Sequence, residues 1–377
     1  MPSSLDRFPA FTEFLKGSRG SSTRWLALGI TERELLDICE GEELYGLVQH
    51  RLSQSPYARE WPVMIQDVLS RVARRETAKE LLHAVEVRAV LDALAAAGIP
   101  AVLLKGTPLA YTVYPLPACR PRSDTDLLVR PEDVSVARRV LASLDYRTTV
   151  YCDDLFSQFE MQKVDSYGVL HVFDFHWKIS TQPAFADVLT CHELLARAQP
   201  VPALGVHAIA AGPLDALLLA CIHPVMHHRN VERVLWTYDI HLLASRLTET
   251  EWERFTSLAL DKKIAAVSAE RLRLARSLFD TRIGPEVTRQ LCAARREPSA
   301  EYLGQDRRWH HELISSIRGV ATWRDRLGLL SKVLFPGGNY MLAAYGLVGK
   351  PFGRLLLPIL YVHRNVRGTW RILAGNK

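Results

Sequence analysis

Across Gly98 the spacing of apolar residues changes from a helical repeat to a strand repeat, and that change narrows the fold before any motif is read. Between Pro62 and Ala97 apolar residues fall at 65, 68, 69 and 72, then at 78, 81, 82 and 85, then at 87, 90, 91 and 94. Three-and-four spacing of this kind lines one face of an α-helix. Gly98 closes the helix, and the next six residues, Ile99-Pro-Ala-Val-Leu-Leu104, are short, apolar and partly β-branched, as a buried strand is. The strand leads directly into Lys105-Gly106-Thr107. A helix, a strand and a glycine turn in succession predict a core of mixed α and β structure.

Further elements follow in the same terms. After the proline-rich passage through Pro115, Pro117 and Pro121, the run Ser123-Asp-Thr-Asp-Leu-Leu-Val129 reads as a second strand. Pro131, Glu132 and Asp133 supply the proline and acidic first turn of a helix, with Val134, Ala137, Val140, Leu141 and Leu144 as its buried stripe. Strands are predicted at Arg147 to Tyr151 and at Val169 to Trp177, where Leu170, Val172, Asp174 and His176 alternate with His171, Phe173, Phe175 and Trp177. Beyond Pro200 strand signals fade and helices take over, notably Leu214 to His228 and Val231 to Ser245. The first 60 residues carry short helical patterns, among them Thr31 and Glu34 at capping-box spacing. The expected organisation is an α+β fold: a helical lead-in over 1–60, a mixed core over 61–200 and a mainly α-helical region over 201–377.

Composition bounds the class. A chain of 377 residues, 48% apolar and 23% charged, exceeds one ordinary core and has enough apolar surface to fold, which excludes a disordered or disulfide-stapled scaffold. The six cysteines, at 39, 119, 152, 191, 221 and 292, form no C-x-x-C pair, so a zinc site or disulfide framework is not indicated. With no basic-then-apolar leader, a reducing cytoplasm is the expected setting. The net charge of +6 includes a late cluster, Arg354, Arg364, Arg367, Arg371 and Lys377, read as a solvated basic tail with a polyanionic partner as the alternative. The apolar stretches 327–335, 340–348 and 355–362 are each broken before the roughly 18–20 residues that span a bilayer. No transmembrane segment is expected. Buried helices are the favoured account of these stretches, and interfacial membrane contact, suggested by the flanking Trp, Tyr and Arg, is the other.

The chemistry concentrates in carboxylates. Asp124 and Asp126 lie two apart in a predicted strand, so the pleat projects both to one face, a natural cradle for a hard divalent ion such as magnesium, with manganese as its substitute. Asp174, on a cleanly alternating strand, is a candidate third carboxylate. His176 stands one pleat repeat after it, either touching substrate or capping the strand. His223 and His227 have the i, i+4 spacing of a helical metal pair, but Pro224 intervenes, no glutamate sits where zinc hydrolases need one, and no third ligand is obvious. Packing, or contact with a base or phosphate, suits them better. Asp239 is a helix-face or cleft residue with no evident partner. No Ser-His-Asp or Cys-His arrangement is present.

Taken as an ordered set, Leu103-Leu-Lys-Gly-Thr-Pro-Leu-Ala, Tyr114-Pro, Arg120-Pro-Arg-Ser-Asp-Thr-Asp-Leu-Leu-Val129 and Val172-Phe-Asp-Phe-His-Trp177 resemble the uncharacterised nucleotidyltransferase family of the DNA polymerase β-like superfamily. The helical stretches Asp215 to His228 and Trp236 to Ile240 resemble the region that follows the core in that family, and the resemblance covers roughly residues 80 to 245. It implies a minimal nucleotidyltransferase core, a mixed sheet flanked by helices. Asp124 and Asp126 would hold the catalytic metals, and Asp174 would complete the site and help activate the acceptor. Gly106 and Thr107 would approach the triphosphate through backbone amides, and Ser123 would join the nucleotide site. The sequence has Lys105-Gly106-Thr107 where the superfamily usually has a Gly-Ser or Gly-Gly turn, and Lys105 is open to two readings. It either meets the β- or γ-phosphate or is a solvated lysine. Arg120 and Arg122 either neutralise triphosphate or pair with nearby carboxylates.

The reaction so implied is in-line attack on the α-phosphorus of a nucleoside triphosphate, with a small molecule, peptide or RNA as acceptor. The family's recurrence in bacterial natural-product and exopolysaccharide gene neighbourhoods implies a biosynthetic setting. Related folds modify transfer RNA ends, which keeps nucleic acid open as an acceptor, but no interleaved run of basic and aromatic residues marks a strand-tracking groove. Two other readings stand beside this one: a catalytically silent nucleotide-binding scaffold, and a glycosyltransferase using Asp-Thr-Asp as its metal motif.

Overall fold

The strand expected after Gly98 forms at Val102–Leu104 (β1) and lies inside a seven-stranded mixed sheet. The other strands are Thr125–Leu128 (β2), Arg147–Val150 (β3), Gln158–Val164 (β4), Leu170–His176 (β5), Gln199–Pro200 (β6) and Ile209–Ala210 (β7). Their spatial order is β3-β4-β5-β2-β1-β7-β6. β2 runs antiparallel to β1 and parallel to β5. The structure, a computed structural model, describes residues 8–17, 24–150, 157–182, 184–294, 297–304, 317, 322–347 and 349–373. Tyr151, Cys152, the side chain of Arg371 and Lys377 lie outside the described residues.

Alternation along the strands sends two sets of side chains to two cores. Leu103, Leu127, Phe173 and Phe175 pack against Val87, Val90, Leu91 and Leu94 of the Val63–Ala96 helix and against Ala137 and Leu141 of the Val134–Ser143 helix. On the other face Val102, Leu104 and Leu128 join a core built largely by the second half of the chain, including Leu218 and Cys221 of the Pro213–His227 helix and Leu235 and Tyr238 of the Val234–Ala244 helix. Truncating a fully buried leucine such as Leu127 to alanine removes transfer energy and leaves a cavity, at a cost of about 2–5 kcal/mol.

The 34-residue Val63–Ala96 helix ends where expected, at Gly98 with φ +74°. Its middle differs from the expected stripe. Leu81 and Val85 are 66% and 61% exposed, whereas Glu80 and His83 are buried. These two polar residues continue the inward line set by Ile65, Leu69, Val87 and Val90, and each has a partner that offsets its burial: Arg122 for Glu80, His171 for His83.

Three further expectations change. The sheet continues past residue 200, because Ile209 and Ala210 pair in parallel with Val102 and Leu103, and strands of two residues are too short to show a repeat. The helix expected at Pro131 opens with a 3-10 turn over Pro131–Asp133 before the α-helix at Val134. The C-terminal apolar stretches form helices at Trp323–Leu334, Gly338–Ala344 and Leu357–Leu373, but Ile359, Val362, Val366 and Trp370 are 64–69% exposed, so the buried-helix account fails for that face. Among the described residues no helix is long and apolar enough to cross a membrane. The capping box at Thr31 and Glu34 is present, and Cys39, Cys119, Cys191, Cys221 and Cys292 are free thiols.

Candidate active site

Strand register brings the acidic residues together. Asp126 faces Leu104 of β1 on one side and Asp174 of β5 on the other, and His176 follows Asp174 by one pleat repeat on the same face. Asp126 Oδ1 accepts from Lys105 Nζ at 2.5 Å and from His176 Nε2 at 2.9 Å. The same His176 Nε2 lies 3.2 Å from Asp174 Oδ2. Asp174 Oδ1 is buried with no hydrogen-bond partner. One donor atom from each of Asp126, Asp174 and His176 lies within 4.8 Å of the others, a compact set for a cation. Asp124 is outside that set but lines the same cleft.

Charge in this cluster is balanced internally. Burial drives the Asp126 carboxyl upward, yet the Lys105 ammonium and the His176 hydrogen bond more than reverse it and hold it well below the usual carboxylate range. Burial likewise works against charge on Lys105, but Asp126, with Asp174 and Asp124 behind it, keeps that ammonium above the ordinary lysine value. For His176, burial and the Lys105 charge oppose protonation, and the hydrogen bonds to Asp126 and Asp174 prevail, raising its pKa. Asp124 has no such partner: burial first, then the Asp126 charge, pushes it up to about 6.

Lys105 holds this place through an unusual backbone. It caps the Gly106–Thr112 helix at φ 55° and ψ −129°, a region favourable to glycine and costly, by about 1–3 kcal/mol, for a residue with a Cβ. Gly106 follows against Arg120, where a Cβ would meet Cζ at 3.5 Å. Thr107 turns inward, only 1% exposed: its hydroxyl donates to Thr125 Oγ1 at 3.3 Å and accepts from Arg122 Nε at 2.9 Å.

Both arginines pair with carboxylates. Arg120 meets Asp239 through Nε and Nη2, at 2.8 Å to Oδ1 and 2.8 Å to Oδ2, and the Tyr114 hydroxyl donates to Asp239 Oδ1 at 2.7 Å. Arg122 forks onto Glu80 at 2.7 and 2.8 Å, while the Tyr111 hydroxyl also donates to Glu80. Such bidentate pairs are rigid, and their charge is already committed. Asp239, which had no partner in the sequence reading, is the anchor that ties the glycine turn to the Val234–Ala244 helix.

Across from the acids stands an aromatic wall. The His223 and His227 rings lie 5.7 Å apart, and the Trp236 ring lies 5.2 Å from His223 and 4.5 Å from His228. Burial, with the Lys105 charge second, depresses His223 well below the ordinary imidazole value, so this ring is neutral, whereas His227 stands exposed at the end of its helix. His227 Nε2 donates to Ile179 O at 3.2 Å, whereas His223 Nδ1 is buried without a partner. Lys105, Gly106, Arg120, Arg122, Ser123, Asp124, Asp126, Asp174, His176, His223 and His227 all line one cleft of about 330 Å³, and only Thr107 among the expected site residues does not. Six other lining residues were not among the expected site residues: Glu43, Pro121, Gln158, His228, Arg233 and Trp236. His228 directly follows His227, which was one available signal.

A mixed sheet carrying a glycine turn on one strand and facing carboxylates on two parallel neighbours defines a nucleotidyltransferase-type core. The model of the family described as uncharacterised nucleotidyltransferase matches residues 29–280, and the chain belongs to that family. It is therefore a transferase of phosphorus-containing groups that acts in nucleotidyl transfer. No curated protein matches the chain.

Proposed function

We propose that the protein moves a nucleoside monophosphate from a nucleoside triphosphate onto an acceptor hydroxyl in a magnesium-dependent reaction, with manganese able to substitute. The observation that carries this reading is the unpartnered Asp174 Oδ1, buried directly opposite Asp126. A buried carboxylate oxygen without a donor is costly, and a hard cation satisfies it. Asp126 and Asp174 would hold the ion, with Asp124 as the further carboxylate of the cleft. When bound, magnesium supplies Lewis-acid stabilisation of the charge that develops on the transferring phosphate.

The chain's own residues supply the rest. His176 donates toward both carboxylates and so fixes their orientation. Lys105, paired with Asp126 in the structure, would turn to the β- or γ-phosphate when a cation shares that carboxylate. Arg120 and Arg122, each held by a carboxylate, act on the triphosphate through placement of the Lys105 to Thr107 turn rather than as free cations. His223, His227 and Trp236 line the cleft, the His223 ring tilted 52° to that of His227 and 81° to that of Trp236, aromatic faces and edges against which a nucleobase would pack. The acceptor oxygen forms its bond to the α-phosphorus as the bond to pyrophosphate breaks, and the acceptor's proton leaves to a carboxylate or water.

The test is pyrophosphate release from each of the four common triphosphates in the presence of cell extract, with Asp126→Asn as control. Release that depends on added magnesium and disappears in the folded variant supports transfer. Equal behaviour of parent and variant supports the silent scaffold instead.

A further inference from the structure

The Leu357–Leu373 helix is apolar on the face turned away from its neighbours. It docks through Tyr361, whose hydroxyl donates to Pro336 O at 2.6 Å, through Arg364 to Val333 O at 2.7 Å, and through Asn365 to Leu334 O at 3.1 Å. On the opposite side Ile359, Val362, Val366 and Trp370 are 64–69% exposed, and Leu355 just before the helix is 73% exposed. At 100° per residue these five fall within an arc of about 80°, a continuous stripe along the helix. Water is a poor solvent for such a stripe, so something covers it.

Charge indicates what. Residues 321–377 contain nine Lys and Arg against one Asp, a net +8, whereas the whole chain carries +6, which leaves the first 320 residues at −2. Arg354 and Arg367 are exposed beside the stripe. A second copy of the chain is a poor cover, because a two-fold contact would bring two strongly basic segments together. The helix has 17 residues, about 25 Å, and holds Arg364 and Arg367 within it, so it does not span a bilayer. The segment also lies beyond residue 280, where the family match ends.

We propose that this segment seats the protein on the surface of an anionic bilayer. The helix lies in the plane of the interface, its apolar stripe enters the acyl boundary, and the flanking arginines meet lipid phosphates. Apolar area and electrostatic attraction together are what interfacial helices use. The acceptor would then be met at a membrane surface.

Co-sedimentation of the full chain with vesicles tests this directly. Vesicles of phosphatidylcholine containing about 30 mol % phosphatidylglycerol should bind it at least about tenfold more strongly than phosphatidylcholine alone, and added salt should erode the difference. Tryptophan emission should shift to shorter wavelength on binding, less so in Trp370→Phe. The double variant Ile359→Glu, Val366→Glu should lose at least about tenfold of the binding with its circular dichroism unchanged. Should that variant misfold, Arg354→Glu with Arg367→Glu, both at exposed positions, should lose the preference for anionic vesicles. Equal binding by parent and variants, or no preference for anionic lipid, overturns the proposal. So does a concentration-dependent dimer that Val366→Glu dissolves without any vesicle binding by the parent. None of these readings depends on the transfer reaction.

Discussion

Asp126 and Asp174 face each other across the parallel pair β2 and β5, and His176 reaches both, yet only Asp126 also receives the Lys105 ammonium. The site is thus asymmetric: Asp126 Oδ1 takes two donors, whereas the buried Asp174 Oδ1 takes none. Without a cation, Lys105 and His176 offset the negative charge that Asp124, Asp126 and Asp174 concentrate.

Asp174→Asn should be cheap for folding and expensive for metal. Removing its charge lessens the repulsion that helps push Asp124 up to about 6, so metal-free melting temperature should hold or rise. The parent should gain melting temperature on adding magnesium, by ligand linkage, and the variant should gain less than half as much. Differential scanning calorimetry with and without magnesium measures both.

Lys105 substitutions separate charge from backbone. Lys105→Ala leaves Asp126 buried with one donor fewer and should lose about 3 kcal/mol in urea unfolding without metal. Lys105→Gly loses the same ammonium but suits φ 55°, and should be about 1 kcal/mol less destabilised than the alanine variant. Equal losses would show that the backbone conformation carries no strain.

Arg120 and Asp239 should behave as a coupled pair. Arg120→Met alone strands a buried carboxylate that Tyr114 only partly satisfies, at a cost of about 3–5 kcal/mol, and adding Asp239→Asn should recover a large part of it. A variant that raises KM for triphosphate at unchanged stability would instead place Arg120 on the substrate.

The main outline was legible because it depends on local repeats. The long helix follows from three-and-four spacing, the strand at Val102–Leu104 from a short apolar, partly β-branched run, and the placement of Asp174 and His176 from two-residue alternation. Asp124, expected within the second strand, instead stands just before Thr125–Leu128 and outside the set formed by Asp126, Asp174 and His176. The pairings that complete the site were not legible. Arg120 finds Asp239 across 119 residues, and Glu80 finds Arg122 across 42, contacts that no local repeat encodes. Glu80 and His83 sit on the inward line of a helix whose nearby leucine and valine point outward, so reading by hydrophobicity alone chose the wrong face there. Trp236 was seen without a role, since its use depends on where the Pro213–His227 helix turns.

Acid should unfold the protein through histidines kept neutral away from the site. Burial lowers His83 from 6.5 to about 3 and His241 from 6.5 to about 4. Below about pH 6.5 the unfolded chain takes up protons that the folded chain refuses, so stability is full above that pH. It falls toward about pH 4 for His241 and about pH 3 for His83, each contributing up to about 1.4 kcal/mol per pH unit. His241→Gln, which retains a partner for the Thr281 hydroxyl, should reduce the slope between about pH 6 and 4 by one proton in urea titrations.

Calorimetric titration of the four common triphosphates into the protein, with and without magnesium, tests the central claim most directly. The account predicts binding of at least one triphosphate that strengthens at least about tenfold with magnesium and loses that gain in Asp174→Asn. Binding of none of them, or binding indifferent to both the metal and Asp174, would contradict it.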